Sequence, residues 1–271
     1  MSDAQEVALA TIHRSKYCIP IDHPILDDHG VFYPKVLPHQ LQFELTFAPV
    51  DNIVVYSDTI KAPNYKIKNL ELEYQCISSE DLANQTSGLY QVGKGFQYEN
   101  VILHKTFTIL KPNDSVINEH INLQRRSMVG ILCLFTETPT AGTRDSENFL
   151  SPNIKSINFN IDGMPNKLYS SGMEATDLWE SIKKRFISKS IFPKDEKKFY
   201  TDNKFALWVD LRTEPENTIH GLGLEIASTR DCVKLKIKRK VDGSGNMNCH
   251  MFVVADAMME IMDSQLKQII Y

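Results

Sequence analysis

Long apolar runs are missing from this chain of 271 residues. No stretch approaches the roughly 18 consecutive apolar side chains that a membrane-spanning helix needs, so no membrane span is expected. An excess of basic charge is missing as well: 30 Lys and Arg stand against 34 Asp and Glu, a formal −4, which excludes a generally basic nucleic-acid binder. The polar start Met1-Ser2-Asp3-Ala4-Gln5-Glu6 lacks the charged and apolar regions of a signal peptide, so the chain is expected in a cell's interior or in something assembled there. Cysteines are five and scattered, with no C-x-x-C pair. Cys18, Cys76, Cys133, Cys232 and Cys249 are expected to be reduced core or near-core residues, not disulfides or metal ligands. There is no low-complexity run, internal repeat or Gly/Ser linker.

The constellations of catalysis are equally scarce. No H-x-H pair occurs, which removes the metal-dependent jelly-roll enzymes. Gly221-Leu222-Gly223 lacks the third glycine of a dinucleotide fingerprint, and no helical pattern follows it. Gly243-Ser244-Gly245 lacks the outer spacing of a nucleophile elbow and reads as a hairpin turn. Asp22-His23, Asp27-Asp28-His29 and His39 form the densest group of ligand-type residues, yet without the tight spacing of a zinc site they read as loop residues. No catalytic residue, cofactor or metal is expected.

What the chain does have is alternation. In Leu41-Gln42-Phe43-Glu44-Leu45-Thr46-Phe47 every odd residue is apolar and every even one polar, the pattern of a half-buried strand. Similar patterns fall on Ile12–Ile21, Ile67–Ile77, Val101–Leu110, Met128–Phe135, Ile154–Ile161, Phe205–Leu211, Cys232–Val241 and Asn248–Ala255. Turn signals such as Asp162-Gly163 and Asp242-Gly243 punctuate them. Many short strands without long helices predict an all-β, antiparallel sandwich or barrel with short helices in its loops.

One helix is expected from Thr176 or Asp177, with Leu178, Trp179, Ile182 and Phe186 as its apolar stripe. A weaker one begins at Ser78 or Ser79. Residues 256–271 fit either a helix or a hairpin about Asp263-Ser264. The stretches 136–152 and 188–203 read as long surface connections, and 51–65 as a boundary. Trp179 and Trp208 sit in apolar patterns and are expected in the core.

One polar feature rises above the rest. In Val233–Val241, Lys234, Lys236, Lys238 and Lys240 share one face of a strand. The plain reading is a solvated exterior whose lysines also block edge-to-edge pairing; the alternative is contact with a polyanion or an acidic partner.

Four passages, taken together, resemble a known family. They are Ile19-Pro20 through His29-Gly30-Val31-Phe32-Tyr33-Pro34 with Leu41–Leu45; Asn69–Tyr74 with Asp81-Leu82-Ala83; Arg125–Phe135 with Asn160–Asn166; and Ala206–Leu211 with Gly243–Asn246. In content and order they resemble the double jelly-roll major capsid proteins of Maverick/Polinton elements and adintoviruses. The resemblance implies a jelly-roll fold and a structural role in a virion. It implies self-association into trimers and higher assemblies with other capsid subunits, a place beside packaged nucleic acid, and no catalysis. It further implies that residues 1–63 are remnant closing strands of a first jelly roll and that 64–271 hold a complete second one. The competing class is a jelly-roll binding or adaptor module without catalysis.

Overall fold

The computed structural model describes residues 18, 19, 21, 42–47, 49, 64–75, 78–109, 116–138, 148–161, 164–165, 173, 175–186, 195–212, 223–226, 233–239 and 246–270. The chain divides into two compact units, residues 1–32 and 33–271. In the first, Cys18, Ile19 and Ile21 lie outside any strand and are exposed. The boundary expected after Pro63, like His23, His29 and His39, lies outside the described residues.

In the second unit, the described residues form ten strands and three helices in chain order. They are α1 (Glu80–Val92), β1 (Lys94–Ile109), β2 (Val116–Ile121), β3 (Arg125–Glu137), β4 (Ile154–Ile161), β5 (Met164–Pro165), α2 (Ala175–Phe186), α3 (Glu196–Thr201), β6 (Leu207–Asp210), β7 (Leu224–Ile226), β8 (Val233–Arg239), β9 (Met247–Met262) and β10 (Gln265–Ile270). With the short β7 and the terminal β10 set aside, eight strands remain. The first pairs with the last (β1 with β9), the second with the seventh (β2 with β8), the third with the sixth (β3 with β6) and the fourth with the fifth (β4 with β5), all antiparallel. Such pairing is one long ribbon folded back on itself. Rolling it up brings β9 beside β3 and β8 beside β4, which yields two sheets, β1-β9-β3-β6 and β2-β8-β4-β5. This is an eight-stranded jelly-roll sandwich: the alternation predicts the antiparallel sandwich, and the resemblance implies the jelly roll.

Alternate residues of both sheets meet in the core. Ile117, Ile157 and Ile237 stand in register across β2, β4 and β8 and are all buried. Ile131, Cys133 and Phe135 from β3, with Cys249, Met251 and Val253 from β9, fill the same core from the other sheet. Full burial of each such side chain contributes about 1.5–3 kcal/mol.

The helices begin and end for local reasons. Ser79 caps α1, its Oγ accepting from the Leu82 amide at 3.3 Å, and Gly93 ends it at φ 127°, a backbone state that glycine enters without strain. α2 buries Leu178, Trp179 and Ile182 as its stripe predicts, but starts at Ala175, ahead of the expected cap. α3 stands inside the expected 188–203 connection. Asp195 caps it, and Phe199 is driven inward against Trp179 and Phe205, with ring centroids 5.2 and 5.1 Å away.

At the carboxyl end the hairpin prevails over the helix. Asp263 and Ser264 both take positive φ, 53° and 56°, the signature of a two-residue turn whose twist matches its strands. Their amides donate to the Gln91 and Tyr90 carbonyls of α1 at 3.3 and 3.2 Å, which anchors the turn.

Two expected strands are not strands. Residues 42–47, and 64–75 within which Ile67–Tyr74 falls, are irregular, with Phe43, Leu45, Phe47, Leu70, Leu72 and Tyr74 exposed. Alternation supplies an apolar face, but a strand also needs a neighbour's backbone groups, and the ladders of both sheets are formed by other residues. Cys18 is another correction. It is exposed, whereas Cys133 and Cys249 are buried as expected; Cys76 and Cys232 lie outside the described residues.

Candidate functional site

β8 is the second strand of the four-stranded sheet, flanked by β2 on one side and β4 on the other. Its alternation sends Ile237 into the core at zero exposure and leaves Lys234, Lys236 and Lys238 exposed; Lys240 lies outside the described residues. The edge-blocking role considered for these lysines is therefore not theirs, since β8 has a partner on each side.

Register fixes what surrounds them. Lys234 stands between His120 and Asn160, Lys236 between Asn118 and Asn158, and Lys238 between Val116 and Ser156. The lysine column is thus framed by columns of amide, hydroxyl and imidazole groups. Among the paired positions of this face the charged residues are Lys234, Lys236 and Lys238, and the one acid in β2, β4 and β8 is Glu119. Glu119 pairs in register with Leu235, so it belongs to the opposite face, and Lys105 of β1 neutralises it at 2.9 Å. The face gathers positive charge on a chain that is negative as a whole.

Successive lysines on a strand are about 6.8 Å apart, so each neighbouring pair repels by about 0.6 kcal/mol in water before salt screens it. That cost is small enough for the fold to bear and is relieved by any anion that spans the column. The flanks are not legible in the sequence, because Val116–Ile121 alternates poorly at its start and pairing order is not local information. The polar alternate positions of Ser156-Ile157-Asn158 are the signal that was available.

A second polar group sits on the six-stranded sheet. Glu99 of β1 and Asp256 of β9 are directly opposite. Arg185 of α2 bonds both carboxylate oxygens of Glu99 and lies over the Trp208 ring, 5.3 Å from its centroid. Ser127 Oγ donates to Asp256 at 2.6 Å and accepts from the Gly223 amide at 3.0 Å. Trp208 Nε1 donates to Asp210 at 3.2 Å, and Arg212 bonds the same carboxylate at 3.0 and 2.7 Å, which pushes the guanidinium further up its already high range. His250 is held elsewhere, between the hydroxyls of Thr106 (3.1 Å) and Thr136 (3.0 Å), so it does not complete a relay with Ser127. The network fastens α2 to the sheet, and each carboxylate in it meets a donor.

Among the described residues there is no group of three or more His, Cys, Asp or Glu placed to hold a metal ion, and no helix is long and apolar enough to cross a membrane.

No family model matches the sequence, and no curated protein matches it. Solved structures do. The major capsid protein of mavirus is 11% identical, with a TM-score of 0.39, over 66% of this chain and 42% of that one. A quasi-atomic model of the PBCV-1 virus capsid is 10% identical, with a TM-score of 0.44, over 69% and 53%. The Sputnik virophage structure is 8% identical, with a TM-score of 0.37, over 64% and 38%. The chain covers about two fifths to just over half of these proteins' lengths.

Proposed function

We propose that this chain is a structural capsid protein of the major-capsid type, of the kind found in Maverick/Polinton elements and adintoviruses, and that it works in a virion assembled inside a host cell. The observation that carries this reading is the first-with-last pairing of eight strands, in a chain whose four passages resemble that family in content and order. In this reading residues 64–271 are a complete second jelly roll, and 1–63 are a remnant of the closing part of a first one. Trimers of the chain, with other capsid subunits, form the capsomer. The role is mechanical and calls for no catalysis.

The exposed alternating segments fit this role. Phe43, Leu45 and Phe47, then Leu70, Leu72 and Tyr74, are 42–76% exposed, and their pattern suits a strand seated against a neighbour. Size-exclusion chromatography with light scattering, followed by electron microscopy of the peak, tests the proposal. Trimers or hexagonally arranged particles are expected. A clean monomer at all concentrations that binds glycans would overturn it in favour of an adaptor module.

A further inference from the structure

We infer that the outer face of the β2-β8-β4 sheet is a phosphate-backbone binding surface that engages duplex nucleic acid without reading its sequence. The lysine column supplies the charge. At about 6.8 Å, the spacing of alternate strand residues spans two axial rises of about 3.4 Å, so a duplex laid along the column offers about two phosphates of each strand for every lysine interval, within reach of the flexible stems of Lys234, Lys236 and Lys238. Asn118, Asn158, Ser156 and His120 stand beside them in the ladder, and these are side chains of the kinds that bond phosphate oxygens and sugars.

The composition of the face selects this occupant over an acidic protein. Protein interfaces gather aromatic residues, methionine and arginine and are poor in lysine. This face is built on lysine, asparagine and serine, with Val116 its one apolar member among the paired positions. It also lacks aromatic residues among those positions, and single-stranded binding relies on aromatic platforms for base stacking. A regular duplex needs none. The inference stands on charge and register and is independent of the capsid reading.

The test uses the full chain, two fluorescein-labelled 20-base-pair duplexes of unrelated sequence, and anisotropy titrations between 50 and 200 mM salt. The wild type should bind both duplexes equally, with log affinity falling against log salt at a slope of about −2.7, that is about −0.9 for each of three phosphate contacts. A variant with Lys234→Gln, Lys236→Gln and Lys238→Gln should bind at least tenfold more weakly with a slope near zero, while melting at the wild-type temperature. Lys66→Gln with Lys68→Gln, elsewhere on the surface, should change neither. Unchanged duplex binding in the triple variant would overturn the inference. So would a triple variant that keeps duplex binding but loses self-association, which would assign the face to an acidic neighbour. Loss of duplex binding with self-association intact would support the inference and leave the capsid proposal to its own test.

Discussion

Trp208 lies so close over Gly130 that a β-carbon at that glycine would sit 2.4 Å from the indole Cζ2. The ring has no room to retreat: it is fully buried, Phe186 meets it edge-on at 5.6 Å, Arg185 covers it, and its Nε1 is bonded to Asp210. Gly130→Ala should therefore destabilise the fold by about 1–3 kcal/mol, the usual cost of overpacking. Urea unfolding should show a lower midpoint at unchanged slope. In the Trp208→Leu background the same substitution should cost less, because the ring is gone and only the approach to the Val209 carbonyl oxygen, at 2.7 Å, is left. A wild-type midpoint for Gly130→Ala would place the ring elsewhere.

The Glu99–Asp256 pair leads to a second expectation. Two carboxylates directly opposite on neighbouring strands repel, and Arg185 offsets this by bonding Glu99. Arg185→Met keeps much of the apolar stem over Trp208 but removes the charge. It should cost about 1.5–3 kcal/mol, the range for hydrogen bonds to charged groups. In a Glu99→Gln background the loss should shrink, leaving a coupling of about 1 kcal/mol in a double-mutant cycle. Equal losses in both backgrounds would mean that Arg185 acts through packing alone.

How much of this was legible beforehand depends on whether the information is local. The expected strand Ile154–Ile161 matches β4 to the residue, Met128–Phe135 and Asn248–Ala255 fall inside the longer β3 and β9, and β8 falls inside the expected Cys232–Val241, because period two is a property of neighbouring residues. The burial of Trp179 and Trp208 followed from the apolar patterns around them. Leu41–Phe47 and Ile67–Ile77 misled because alternation says which face is apolar and nothing about whether a partner strand exists. β2 was missed: Val116-Ile117-Asn118-Glu119-His120-Ile121 alternates poorly at its start, and only its pairing with β8 makes it a strand. The lysine face was visible as a run of alternate residues. Its asparagine and serine flanks were not, since they come from strands over seventy residues away in sequence.

Stability should fall over two identifiable ranges as pH rises. The Cys133 thiol is pushed up, first by its hydrogen bond with Cys249 and then by complete burial, with the charges of Cys249 and Glu119 adding to it. The Tyr200 phenol is pushed up to about 12 by burial and by Glu196. In both cases the folded state holds its proton more tightly than the unfolded chain. The associated stability is present below the unfolded value and is lost as pH rises past it: from about 8.5 for the thiol, and from about 10 to about 12 for the phenol. Cys133→Ala should flatten the first limb of stability against pH, and Tyr200→Phe the second. In a chain with Cys18, Cys76 and Cys232 changed to Ser, a thiol reagent at pH 8 should label nothing until denaturant is added. Rapid labelling of the folded chain would contradict the burial of both remaining thiols.

The exposed alternating segments separate folding from assembly most directly. Leu70, Leu72 and Tyr74 are 65%, 51% and 76% exposed, so each has on the order of 1 kcal/mol of burial still to gain from a neighbouring surface. Within the chain they contribute little, and changing all three to Ser should shift its own unfolding by no more than about 0.5 kcal/mol per site. If neighbouring subunits cover them, as the capsid proposal holds, the same change should weaken self-association by tenfold or more, read as a shift from trimer to monomer in light scattering at a fixed concentration. Phe43→Ser with Leu45→Ser and Phe47→Ser should do the same. An unfolding midpoint that collapses instead would mean that these side chains are buried by their own chain. An oligomer that survives both triple changes would move the subunit contacts to other surfaces.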